Sequence, residues 1–499
     1  MNLNRRNFLF GSAAAAAMIA NAADKKGLRP LKAGEVRTVG LIGWGIQMRS
    51  ALVSQFLAQK KTVRIVAVCD VNKLRREDGA KKVNAAYTKA GLPATCKAVA
   101  DFRDIINDPA IDMVCIATPD HWHAYMAVEA MKHGKDVYCE KPLTFNVDES
   151  RKVIAAQAKY GRVFQTGSMQ RAWPEFRTAV MIVRNGFIGE VTDVEANYGR
   201  GGQKLGGPSH PIRFFDDPNN AAKEGAPNPD VDWTMWLGPA AMRPYSDRHA
   251  PRGVHNFYPY FWRCDDDLGS GYCGDWGAHH LDIAQWGLDM DRSGPYKVIR
   301  SDEPYSTDLY HGGRRLFGVK LVFKKPYGDV VLTHGSFANR WGTVFYGTKG
   351  IVAVNRGKIA VWSGTGLVTP TPDIRKGVAN CSFMKDKLLA EGSGGSLGAA
   401  LDKIEKEYGL THESIAKYGV YVSTDHYRNF FDCVESRKAP VTDGETGSRA
   451  SILCILCNMS YKHDAGFDWD PVKNEFANGT GHGIPLCRQG DCNGWEVKA

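Results

Sequence analysis

From residue 36 onward the chain alternates short β-branched runs with helical stretches, and no other feature of it restricts the fold as strongly. Residues 36–42 (VRTVGLI) read as a buried strand, 46–59 as a helix, 64–69 as a second strand and 73–90 as a second helix. A short helix at 102–107, a strand at 112–116, a helix at 123–133 and strands at 136–139 and 164–167 continue the series. Strands joined by helices pair in parallel, because each helix carries the chain back across one face of the sheet. Residues 33–167 are therefore expected to form a doubly wound parallel α/β sheet. Beyond them, 173–185 reads as helix, 191–198 as strand and 199–229 as a long Gly/Pro/Asn-rich loop. Strands follow in 318–333 and 343–362, an insertion at 387–418, and helices at 423–436 and 446–462. These make a second unit over 168–472, with a turn-rich tail at 473–499.

Composition sets the outer bounds. Across 499 positions, 43% hydrophobic and 24% charged residues are enough for two packed domains and too apolar for a disordered chain. No apolar run approaches the roughly 18 residues of a membrane span. The 12 cysteines are too sparse for a disulfide scaffold. The net charge of +10 is scattered, with no basic run, so a small-molecule partner is expected and a nucleic acid is not. Asn4-Arg5-Arg6-Asn7-Phe8-Leu9, the apolar stretch 13–20 and Ala20-Asn21-Ala22 resemble a bacterial twin-arginine export signal over 1–22. That address implies a periplasmic protein, in which Cys487 and Cys492 could pair. Cys69, Cys115 and Cys139 fall in strands, and Cys454-x-x-Cys457 falls on an apolar helix, so all read as core. His121 and His123 lack a third ligand, and no metal is expected.

Chemistry enters at the first strand-to-helix turn, Gly43-Trp44-Gly45, with Ile46 opening the helix. Glycines there allow a tight turn and let a pyrophosphate reach backbone N–H groups at the helix start. Asp70 ends the second strand, 25 residues after Gly45. A carboxylate in that place accepts hydrogen bonds from a ribose diol and repels a 2′-phosphate. The reading is an NAD site, with Lys73, Arg75 and Arg76 leaving NADP open. Met48 replaces the third glycine of the G-x-G-x-x-G pattern, so close helix–strand packing must be met in another way.

Three further segments follow in order: Ala117-Thr118-Pro119-Asp120-His121-Trp122-His123, Glu140-Lys141-Pro142, and Gly274-Asp275-Trp276-Gly277-Ala278-His279-His280-Leu281-Asp282. Together they resemble the Gfo/Idh/MocA oxidoreductases over about 36–469. The resemblance implies an N-terminal Rossmann domain and a C-terminal α/β domain with an open, mostly antiparallel sheet. It also implies a homo-oligomer, dimer or tetramer, formed through that sheet. It places Thr118, Pro119 and His123 in the loop beside the nicotinamide, and Glu140 and Lys141 against the cofactor. It makes His279 the general acid/base, Lys141 its electrostatic or relay partner, and Asp275 an orienting group or substrate ligand. The chemistry agrees. Oxidising a secondary alcohol needs a proton acceptor, which histidine supplies near neutral pH, and a cation beside the developing alkoxide. On one helix, Asp275 and His279 would share a face.

Tyr198, Arg200 and Trp262 are the candidate substrate contacts, aromatic faces being suited to sugar rings. The expected activity is NAD(P)-dependent hydride transfer from a secondary hydroxyl of a sugar, polyol or glycoside. Outside the cytoplasm little free nucleotide is available, so a tightly bound cofactor is expected. That condition also suits a redox-neutral glycosidase, working by elimination and addition through a 3-keto sugar, or an epimerase. A non-catalytic sugar-binding protein is the third reading, and the complete Lys141, Asp275 and His279 set argues against it.

Overall fold

The computed structural model describes residues 35–197, 226–255, 262–302, 318–335, 341–410, 423–488 and 490–499. The segment read as an export signal, Tyr198 and Arg200 lie outside the described residues. Strands β1 (Arg37–Ile42), β2 (Val63–Cys69), β3 (Lys97–Val99), β4 (Met113–Ile116), β5 (Asp136–Cys139) and β6 (Phe164–Thr166) form one parallel sheet. Its order is β3-β2-β1-β4-β5-β6, so the winding reverses between β1 and β4 and opens a crevice at their carboxyl ends. Every residue of β4 and β5 is buried, which is why β4 reads as a continuous apolar run and β5 follows its opening Asp136 with Val137, Tyr138 and Cys139 instead of alternating. The helix expected at 123–133 begins earlier, as Asp120–Lys132, and this corrects one reading: His123 belongs to its first turn and not to the preceding loop. The sequence reading passed over β3 and helix Val147–Tyr160, which is capped by Asn146 and closed by left-handed Gly161.

The second sheet has ten strands among the described residues: β7 (Val191–Asn197), β8 (Lys297–Ile299), β9 (Val319–Lys325), β10 (Gly328–Gly335), β11 (Thr343–Gly347), β12 (Gly350–Asn355), β13 (Lys358–Ser363), β14 (Leu388–Ser393), β15 (Phe467–Asp470) and β16 (Glu475–Phe476). Neighbours run antiparallel except β7 and β10, which pair in parallel. The insertion expected at 387–418 is corrected in part: its first residues, β14, extend the sheet by pairing with β13. The short, glycine-containing LLAEGS run carries too little β-branched character to announce a strand. Helices Pro174–Arg184, Gly277–Gly287 and Gly444–His463 share a core with Val194, Leu321, Leu332 and Phe345 of this sheet.

The two units are interleaved. Helix His426–Ser436 buries Phe430, Phe431 and Val434 with Val39, Leu41 and Val63 of the first sheet. The C-terminal tail returns to the same domain, where Trp495 meets Trp122 edge-on at 5.0 Å between ring centroids. In the second unit Arg171, 1% exposed, donates to both Asp282 and Asp291 at 2.7 Å. Arg171→Met strips the counter-charge from two facing carboxylates and is expected to cost about 3–5 kcal/mol. Urea unfolding would show this as a lowered midpoint at constant slope, whereas a loss below about 1 kcal/mol would contradict a structural role for the triad.

Candidate active site

A cleft runs from the first glycine turn to the second domain. Gly43, Gly45, Ile46, Asp70, Thr118, Pro119, His123, Glu140 and Lys141, all expected to touch a cofactor, line it, together with Asp275 and Trp262.

The first turn explains itself. Gly43 has φ +88°, and a Cβ there would lie 2.6 Å from the Ala117 carbonyl oxygen, so both conformation and space demand glycine. Gly45 differs: a Cβ would meet nothing nearer than that same oxygen at 4.0 Å. The fold leaves the space beside Gly45 open, which is room for a ligand on the turn. Met48 is fully buried, and the helix is π-wound over Met48–Leu52 before becoming α-helical at Val53–Ala58. The wider turn houses a bulky side chain where the motif would have glycine. Asp70 accepts the Trp44 N–H at 2.7 Å and the Asn72 N–H at 2.8 Å, one on each carboxylate oxygen. Each oxygen keeps capacity for a ribose hydroxyl. These residues fit a dinucleotide. Arg49 and Arg75 also line the cleft near Asp70, so a 2′-phosphate would find cations there.

Deeper in, Glu140 is held by Gln47, whose Nε2 donates at 3.0 Å, and by the Lys141 N–H at 3.2 Å. Burial pushes the Glu140 carboxyl up, with Lys141 opposing. His123 joins two segments of the wall, its ring nitrogens 2.8 Å from the Pro142 carbonyl and 2.9 Å from the Thr118 carbonyl. Lys141 Nζ crosses the domain boundary and donates to the Asp275 carboxylate at 2.7 Å and to its carbonyl at 2.8 Å. Burial opposes the Asp275 charge, but Lys141 and Arg263 overcome it and hold the carboxyl at about 2.

Asp275 and His279 do not share one helix, contrary to the expectation. Asp275 ends helix Gly271–Asp275, Trp276 follows as a single turn residue in the right-handed helical region (φ −93°, ψ −31°), and His279 lies in helix Gly277–Gly287. His279 is 6% exposed and is not among the cleft-lining residues. Its ring packs against Trp276 at 5.8 Å, and its Nδ1 has no hydrogen-bond partner among the described residues. Burial first, then the charges of Lys141 and Arg356, push its pKa well below the ordinary histidine range. Sequence reasoning missed Gln47, Arg49, Arg263 and Arg356. Gln47 and Arg263 directly follow residues it did select, Ile46 and Trp262. Arg263 stacks its guanidinium 4.3 Å from the Trp262 ring and lies 3.6 Å from Asp275. Arg356, at the β12–β13 turn, lies over Trp276 at 4.8 Å and donates to Gln170 at 2.8 Å, and no local motif marks it.

Two family models match the chain. One, described as an oxidoreductase family with an NAD-binding Rossmann fold, covers residues 37–168. The other, an oxidoreductase family C-terminal alpha/beta domain, covers 214–324. An inositol 2-dehydrogenase of Rhodococcus jostii is 36% identical over 108 residues, 21% of this chain and 29% of that protein. A glycosyl hydrolase family 109 protein of Shewanella pealeana is 32% identical over 219 residues, 40% of this chain and 46% of that protein. The chain spans less than half the length of these relatives. A levoglucosan dehydrogenase, solved with NADH and levoglucosan, shares the fold with a TM-score of 0.51 at 17% identity, covering 87% of this chain and 99% of that one.

The pH behaviour of Asp275 tests the electrostatics. A depressed carboxyl contributes stability fully above its unfolded value of about 3.9 and loses it as pH falls towards its folded value. The stability difference between the protein and Asp275→Asn should therefore be flat from about pH 7 to 5 and shrink steadily below about 4. A difference that changes instead near neutral pH would contradict the ionised pair.

Proposed function

The chain carries both domains of the Gfo/Idh/MocA oxidoreductase family, and we propose that it moves a hydride between a secondary carbinol carbon of a sugar, polyol or glycoside and a bound nicotinamide dinucleotide. One observation carries the reading: Lys141 lines the glycine-turn cleft while bonded to Asp275 from the second domain. NAD, when bound, supplies the hydride acceptor. Gly43, Gly45 and Ile46 would receive its pyrophosphate, and Asp70 its ribose. Asp275 takes two hydrogen bonds from the Lys141 ammonium and leaves its third donor for the substrate oxygen. There Lys141 stabilises charge as the hydroxyl proton leaves. His279 is the proton acceptor in this proposal, as the family resemblance implies; burial and the nearby cations keep it neutral and work against the imidazolium that proton transfer would form. Arg263 and Trp262 form the wall against which a sugar ring would lie.

A second reading is supported by the relative named as a glycosyl hydrolase. In it the hydride returns to the substrate after elimination and water addition, giving net glycoside hydrolysis. Export by the paired-arginine segment, periplasmic residence, a tightly held cofactor and a dimer or tetramer belong to the same proposal.

Purified protein given NAD and a panel of polyols and sugars should develop the absorbance of reduced nicotinamide. Lys141→Ala and His279→Ala are each expected to lower kcat by about 10²–10⁴-fold. His279→Ala within threefold of the parent would reduce that residue to a packing role. Release of chromophore from a nitrophenyl glycoside without net reduced cofactor would select the hydrolytic reading. Absence of nucleotide binding would end both.

A further inference from the structure

Outside the cleft, three potential metal ligands from three separate elements meet in the core of the second domain. Cys273 lies on helix Gly271–Asp275, His334 on β10 and Cys457 on helix Gly444–His463, and each is 0% exposed. Their sulfur and ring-nitrogen atoms all lie within 4.8 Å of one another. Cys273 Sγ is 3.6 Å from His334 Nε2. A tetrahedral ion with bonds of about 2.3 Å to sulfur and about 2.0 Å to nitrogen needs a separation of about that size. The imidazole is already aimed, because its Nδ1 lies 3.2 Å from the Tyr461 hydroxyl, leaving Nε2 towards the sulfurs. Metal-bound histidines use such an outer contact to fix ring and tautomer. Cys454 stands one helical turn before Cys457. A Cβ on Gly277 would lie 3.3 Å from Cys454 Sγ and 3.7 Å from His334 Nε2, so those two atoms flank the same point.

A single buried thiol is an inert apolar side chain. Two thiols and an imidazole brought together from distant parts of the chain are a ligand set. Soft sulfur with imidazole selects a zinc-class ion over magnesium or calcium. Two thiolates cancel a divalent charge, so the filled site enters the apolar core without net charge. Binding forms two metal–sulfur bonds and one metal–nitrogen bond and releases the two thiol protons.

We propose that Cys273, Cys457 and His334 bind a zinc-class divalent cation. The ion would staple the short helix ending in Asp275 to β10 and to helix Gly444–His463, making it a positioning element for the cleft. None of this depends on the hydride-transfer reading.

The test uses the full chain, freed of any affinity tag and purified without chelators. Mass spectrometry of metals should find about one zinc per chain. Protein stripped of metal and reloaded with Co²⁺ should show thiolate-to-cobalt charge transfer and the visible bands of a tetrahedral ion. Cys273→Ser with Cys457→Ser should lower metal content at least tenfold. Should that variant not fold, Tyr461→Phe, which keeps every ligand, decides: its zinc affinity in a chelator competition should fall about 10–100-fold. The proposal is overturned by less than about a tenth of an equivalent after growth in zinc. It is equally overturned by a cobalt spectrum without thiolate charge transfer, by unchanged affinity in Tyr461→Phe, or by a Cys273–Cys457 disulfide in peptide maps.

Discussion

The ion pair between Lys141 and Asp275 organises everything around it. Lys141 follows β5, and its place is set by a strand buried on every residue. Asp275 closes a short helix of the other domain. Two hydrogen bonds, to carboxylate and carbonyl, fix the direction of one ammonium group and leave it facing the cleft. The side chains are 14% and 16% exposed, so the pair is shielded from most ionic screening while a ligand in the cleft can still reach it. Interleaving of the domains supports this tie. Thr166 donates to the Thr442 carbonyl at 2.8 Å, and Leu143, two residues after Lys141, donates to the Ser451 hydroxyl at 3.0 Å.

The charges nearby form a graded field. Lys141, Arg263 and Arg356 all act on Asp275 and keep it ionised against its burial. Burial keeps His279 and His280 neutral, aided by Lys141 and Arg356 at His279 and by Arg356 at His280, which is pushed down to about 3. Glu140 is shifted the other way by burial. One carboxylate is thus strongly ionised beside an ammonium, and a neutral imidazole stands behind them. The ammonium is placed to stabilise a developing alkoxide, whereas burial and the nearby cations make the imidazole a weaker base than an exposed histidine.

Much of this was legible in the sequence, and the reasons are local. The parallel sheet could be read because β1, β2, β4 and β5 are buried apolar runs separated by helices of ordinary length. The cofactor side of the cleft could be read because Gly43, Gly45, Asp70 and Thr118 sit at strand ends, where the topology leaves no choice of direction. What failed lay where tertiary contacts decide. A single turn residue, Trp276, interrupts the helix between Asp275 and His279, and nothing in the local spacing marks it. β14 is a strand only because β13 offers it an edge. Arg356 reaches the site from a hairpin turn, and Trp495 folds back onto Trp122 from the end of the chain, and neither carries a sequence pattern of its own. Cys454 and Cys457 read as plain core because Cys273 and His334, their neighbours in space, are far away in sequence.

The proposed reaction breaks a carbon–hydrogen bond of the substrate directly onto a nucleotide that would lie between Gly43 and Lys141. The most direct measurement is a single turnover with a sugar or polyol deuterated at its carbinol carbons, followed by mass spectrometry of the nicotinamide recovered from the denatured protein. The account predicts a reduced ring carrying one deuterium. Product formed with an unlabelled ring, its hydrogen drawn from solvent, would contradict it.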